Sequence, residues 1–278
     1  MSDISYAQVL HPTDFSESDA SAFAHALRLA LAGQDQLALL HVRKTKEDFS
    51  WDDFPRVRAT VLHWMHQLPP EKQLELEPGK MEVVKYTKPG DDPVSSVADY
   101  LRDHPADLMV LATHQYDGID RLLHKPTATP MARYAELKTL FVPRIGEGFV
   151  SVEDGTVSLK HVLVPVDFKP DPQIALDAAV SLLHLLKVTD AEITIIHMSD
   201  KEQGPPLILP TDAGWKVNRF LVSGPVVDTI LEVAKEKRPD LIVMATDGQN
   251  GFLDALRGTS TERVVREARC PVLAVPAK

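Results

Sequence analysis

The sequence predicts an α/β protein of two tandem domains, each an open parallel five-stranded sheet with flanking helices. Three observations predict it. At 278 residues the chain suits two domains of roughly 100–150 residues each. It repeats itself: VLHPTDFS (9–16) and VLVPVDFK (162–169) agree at five of eight positions, 153 residues apart. Within each half, short apolar runs alternate with amphipathic segments, the pattern of a parallel sheet covered on both faces.

Each half reads in the same order. The β-branched runs at Val9–Pro12 and Val162–Pro165 are followed by the amphipathic segments SDASAFAHALRLALAG and DPQIALDAAVSLLHLLK. LALLHV (37–42) then answers ITIIHM (193–198), and VVKY answers VNRFLV. The helices SSVADYLRDH and VVDTILEVAKEKR precede ADLMVLAT (106–113) and PDLIVMAT (239–246), in a register that runs ungapped to FVP (141–143) against AVP (274–276). Between them TPMARYAEL and TSTERVVREA supply the last helices.

The halves differ in one insertion. His41 to Gly90 is 22 residues longer than His197 to Gly224. The extra segment includes FPRVRATVLHWMHQLPPEK, with Val57, Val61, Leu62, Met65 and Leu68 at helical spacing. The second half has EQGPPLILPTDAG there, whose prolines and glycines leave no room for a helix. A crossover helix is expected in the first half and a bare loop in the second. VSVEDGTVSL (150–159), centred on Asp154-Gly155, predicts a hairpin. The expected division is a domain over 1–146, a hairpin linker over 147–159 and a domain over 160–278.

Composition narrows the function. A net charge of −10 argues against a nucleic-acid partner, which needs a basic face. No apolar run approaches the ~20 residues that span a bilayer, so no membrane partner is expected. MSDISYAQ lacks the basic start of a signal peptide, and the single Cys270 excludes an intrachain disulfide. A cytoplasmic protein is the expectation.

The chemistry concentrates in ATDGQNGFLDALRGTSTERV (245–264), where a strand-like run ends in a glycine-spaced loop. Ligands of open parallel sheets bind beyond the carboxyl ends of the strands. Gly248 permits close backbone approach, and Gly258 lets the chain turn into the next helix. Thr259, Ser260 and Thr261 then offer hydroxyls and free N–H groups where the helix dipole favours an anion. Asp167 ends the first strand of the same half. The same residues also read as a capping box, Thr259 with Glu262, needing no ligand. Spacing alone leaves both readings open.

PTDFS (12–16), PVDF (165–168), LLHV, IIHM, ADLMVLATH, PDLIVMATD and the closing strands resemble the universal stress protein family in its tandem form. The resemblance implies Rossmann-like domains of the adenine nucleotide alpha hydrolase type, and a stress-response regulator or sensor, with at most slow ATP hydrolysis expected. Nucleotide-binding members carry Gly-x2-Gly-x9-Gly-Ser/Thr. Ala245, Gly248, Gly258 and Thr259 reproduce this except at the first glycine. By resemblance Pro165, Val166 and Asp167 border an adenine walled by Met198 and Met244. Ala245, Gly248, Gly258, Thr259, Ser260 and Thr261 face ribose and phosphates. The implied ligand is ATP or another adenine nucleotide. Asp247 would repel phosphates unless a cation such as Mg²⁺ bridges them. The other expected partners are an unidentified protein and a second copy of the chain, as a homodimer.

The first half departs from that motif. Its equivalents are Ala112, Gln115, Lys125 and Pro126, so all three glycines are gone and one N–H donor is deleted. Its helix is expected to start at Thr129-Pro130. This half reads as a degenerate partner; a second reading keeps an anion site built on Lys125, Thr127 and Thr129.

Other candidates are weak. His63 and His66 share a helix face, but zinc needs a third protein ligand. His41 and His197 occupy matched repeat positions and suggest packing beneath the sheet edge. Cys270 reads as a small buried hydrophobe. Ser95 lacks a base, and Asp92 or Ser95 reads as a helix cap. No catalytic set is present.

Overall fold

The computed structural model describes residues 8–34, 36–43, 49–77, 79, 81–113, 131, 137–144, 148–199, 203–211, 214–246 and 260–277. The first half supplies β1 (Gln8–Pro12), β2 (Gln36–Arg43), β3 (Glu82–Pro89), β4 (Leu108–Thr113) and β5 (Lys138–Pro143). The second supplies β6 (His161–Val166), β7 (Glu192–Met198), β8 (Lys216–Val222), β9 (Leu241–Thr246) and β10 (Val272–Pro276). All ten join one sheet in the order β3-β2-β1-β4-β5-β10-β9-β6-β7-β8.

Every pairing within a half is parallel. The seam is antiparallel: Val272, Leu273 and Ala274 lie opposite Phe141, Leu140 and Thr139. The two five-stranded sheets are therefore continuous, and neither fifth strand is left as an edge open to further pairing.

The helices are α1 (Ala20–Gly33), α2 (Val57–Gln67), α3 (Pro70–Gln73), α4 (Pro93–Asp103), α5 (Pro172–Leu185), α6 (Val226–Lys237) and α7 (Ser260–Glu267). Successive strand residues point to opposite faces. Val162, Val164 and Val166 thus join the core under α1 and α5, whereas Leu163 joins the core under α4, α6 and α7. Asp92 caps α4 by accepting from the N–H groups of Val94 and Ser95 at 3.3 and 3.1 Å, with Pro93 at the first helical position. Asp171 and Pro172 begin α5 in the same way.

α2 lies in the segment peculiar to the first half. In the second half the described residues 203–211 contain no helix, and the Gln173 side chain instead holds the backbone of Ile208 at 2.8 and 3.1 Å. Trp64 of α2 is fully buried and donates its indole N–H to the Val152 carbonyl at 2.9 Å. Gly155 has φ +69°, and a Cβ there would meet the Trp64 ring at 2.3 Å, so only glycine fits.

A bridge between Val150 and Val157 closes the linker hairpin. His25 of α1 donates from Nδ1 to the Ser21 carbonyl at 2.7 Å and accepts from the Val150 N–H at Nε2, 3.2 Å away. Burial, only partly opposed by the Ser21 bond, pushes the His25 pKa down to about 4. The linker is therefore fastened to both α1 and α2.

Candidate functional site

β6 keeps register with β7 from His161 to Val166, but with β9 only at Val162 and Leu163. Beyond that point the two strands part and open a crevice at their carboxyl ends, where the strand order reverses. β1 and β4 part in the same way after Val9 and Leu10.

The second crevice brings together much of the predicted set. Pro165 and Val166 end β6 and Asp167 follows; Met198 ends β7; Met244 and Ala245 lie at the end of β9; Ser260 and Thr261 open α7. Met198 and Met244 pack in the same core cluster, with Val264 of α7. Val166 and Ala245 pack on the opposite side, toward α5. Two apolar walls thus share one face, while the Val166 side chain points away from it. Asp247, Gly248, Gly258 and Thr259 lie outside the described residues, as do Gln115, Lys125, Pro126, Thr127, Thr129 and Pro130 of the first half.

Asp167 is held by its own turn. Its Oδ1 accepts from the Phe168 N–H at 2.7 Å, yet the side chain remains 63% exposed. His197 is buried and lies 3.9 Å from that oxygen, while its Nδ1–H donates to the Val166 carbonyl at 3.0 Å. His41 makes the matching bond to the Thr13 carbonyl at 2.9 Å. In both halves a strand-end histidine therefore anchors the turn that carries the aspartate.

The first crevice is different. It holds a cavity of about 140 Å³ lined by Pro12, Thr13, Asp14, Val42, Leu111 and Ala112, the repeat equivalents of Pro165, Val166, Asp167, Met198, Met244 and Ala245. That falls short of the ~300–1,000 Å³ of ordinary small-molecule sites. Arg144, from the same lining, reaches the Asp14 carboxylate at 2.9 Å. Burial would raise the Asp14 pKa, but hydrogen bonds from Ser16 and the Arg144 charge outweigh it and hold the group below the usual carboxylate range.

Sequence reasoning missed Arg144. The signal is the residue after the closing strands, arginine in FVPR and alanine in AVPA, which places Ala277 where Arg144 stands. It also missed a buried His11–Asp19 contact of 3.2 Å beneath the first cavity, at positions held by Val164 and Pro172 in the second half. Burial opposes protonation of His11, but Asp19 and the Val110 carbonyl outweigh it and raise the pKa.

Elsewhere, Cys270 is partly buried, and burial pushes its thiol up to about 12, which leaves it protonated and unreactive at neutral pH. Among the described residues no three metal-ligating side chains converge, and no helix is long and apolar enough to cross a membrane.

This architecture, an open parallel sheet duplicated about an antiparallel seam with paired aspartate turns, defines a tandem Rossmann-like α/β protein. The profile of the universal stress protein family matches residues 5–143 and 209–276. The chain belongs to that family. It is 28% identical over 149 residues to a universal stress protein of Methanocaldococcus jannaschii, covering 45% of this chain and 86% of the relative. The crystal structure of a universal stress protein from Archaeoglobus fulgidus shares its fold with a TM-score of 0.64, at 18% identity and 98% coverage of both chains. A putative universal stress protein from Pseudomonas aeruginosa does so with a TM-score of 0.58, at 14% identity, over 99% of this chain and 95% of that one.

Proposed function

We propose that the protein binds one adenine nucleotide, ATP being the leading candidate, in the crevice of its second half, and that occupancy regulates a stress response. The observation carrying this reading is the contrast between the two aspartates. Both side chains are more than half exposed, but Asp14 is engaged by Arg144, whereas Asp167 has no lysine or arginine partner among the described residues. Its carboxylate remains available to an adenine or ribose donor. The Gly248, Gly258 and Thr259 positions complete the sequence motif, and Ser260 and Thr261 open an α-helix, where a phosphate is favoured.

In this reading the ligand acts by occupancy, not by turnover: it engages the 245–261 segment and alters a surface read by a protein partner or a second copy of the chain in the cytoplasm. Mg²⁺ would bridge Asp247 to the phosphates. Equilibrium binding of labelled ATP to the wild type and to Gly258→Pro tests it. Strong loss in the variant is expected; equal binding by both would remove the proposed cradle.

The first half supports a second reading for itself, a nucleotide-free structural or interaction domain, favoured by its small cavity and the Asp14–Arg144 pair.

A further inference from the structure

The largest departure between the halves is α2, which has no counterpart among the described residues 203–211 of the second half. Between α2 and the edge strand β3 lies an open groove of about 920 Å³, lined by the apolar side chains of Val57, Val61, Leu62, Met65, Met81 and Val83. α2 reaches the core through Val57, Val61 and Trp64, whose indole is tied to the linker hairpin. Leu62 is left 47% exposed. On β3, alternate residues face opposite ways: Tyr86 packs edge-on against Tyr100 of α4, while Val83 and Lys85 face the groove.

The groove is also charged in one sense. Arg56, Arg58 and Lys85 line it, and no acidic residue does so among the described residues. In a chain of net charge −10 this is a local reversal of sign. Neither Arg56 nor Arg58 has an ion-pair partner among the described residues. Lys85 lies over the Phe54 ring at 5.5 Å.

The cations sit at one end. A crossover helix runs antiparallel to its strands, so the start of α2 lies beside Lys85 and its end beside Met81. From Arg56 to Met65 a helix spans about 13 Å, and from Met81 to Lys85 an extended chain also spans about 13 Å. The two walls are matched in length, with a cationic mouth and a methionine-lined far end.

We propose that this groove binds a single-chain amphiphile with an anionic head, of the fatty-acid class. The carboxylate lies among Arg56, Arg58 and Lys85, and the tail runs toward Met65 and Met81. Methionine suits such a wall because its unbranched side chain adapts to chains of different shape.

Equilibrium dialysis of the full-length protein with labelled octanoate, decanoate and dodecanoate, below their micellar concentrations, tests the proposal. Saturable binding at one per chain is expected, tightening about fourfold for each added methylene. Leu62→Asp, at an exposed position that folding tolerates, should weaken dodecanoate at least tenfold with an unchanged circular dichroism spectrum. Arg56→Ala/Arg58→Ala should weaken dodecanoate about tenfold yet leave dodecanol binding unchanged. Absence of saturable binding overturns the proposal, as does equal dodecanoate affinity in wild type and both variants. A chain that takes no fatty acid but self-associates through this face, and is made monomeric by Leu62→Asp, overturns it in favour of a second copy as occupant.

Discussion

The Arg144 guanidinium lies 2.9 Å from the Asp14 carboxylate, and at the matching place after the second closing strand stands Ala277. One repeat thus pairs its aspartate with an arginine, and the other gives it no lysine or arginine partner among the described residues. Calorimetric titration with ATP is expected to give one site per chain, and Arg144→Ala is expected to leave that number at one. A second site in the variant would show that the ion pair alone closes the first crevice. The Asp14 side chain is 58% exposed, so solvent screens the pair, and its loss should cost no more than ~1 kcal/mol in urea melts.

The two aspartates should separate under substitution. Asp167→Ala removes a charged acceptor from the proposed site and should weaken ATP roughly 10- to 100-fold. Asp14→Ala should leave ATP affinity unchanged. Equal effects in a binding assay would place the nucleotide elsewhere.

The histidine anchors give a stability test. His197→Phe deprives the buried Val166 carbonyl of its donor, and His41→Phe does the same at Thr13. Each should cost ~1–3 kcal/mol in denaturant melts. Only His197→Phe is expected to weaken ATP as well, because only its turn carries an aspartate without a lysine or arginine partner among the described residues.

Acid stability should depend on His25. Its pKa falls from 6.5 to about 4 on folding, so between those values the unfolded chain binds more protons than the folded one. Its contribution is complete above pH 6.5 and is lost as pH falls toward 4, roughly 3 kcal/mol in all. His11 opposes this: its raised pKa adds stability below its unfolded value, and that contribution is lost as pH rises through the folded one. Urea melts across pH 4–7 should show a shallower acid decline in His25→Gln than in wild type.

Trp64→Ala should cost ~3–5 kcal/mol, since it leaves a cavity and frees the Val152 carbonyl. A thermal melt within a degree of wild type would show that α2 is dispensable to the fold.

The fold class and family were legible because repeated apolar runs such as MVLA and IVMA are buried from both sides, and their pattern does not depend on distant partners. The seam was not: FVP and AVP look the same whether they pair within one chain or between two. The Arg144–Asp14 pair joins residues 130 apart, and no local spacing announces it. Within the candidate site, Met198 and Met244 fall on one sheet face. Val166, which the family resemblance sets beside the adenine, has its side chain in the opposite core through the two-residue strand period.

An antiparallel join between two parallel sheets reverses strand direction across the molecule. The mouth that opens beyond Asp14 and the one beyond Asp167 therefore lie on opposite rims of a single plate. An occupant of one cannot touch an occupant of the other, and what joins the two mouths is the seam of Leu140 and Leu273 together with the side-chain core that α1 and α5 share.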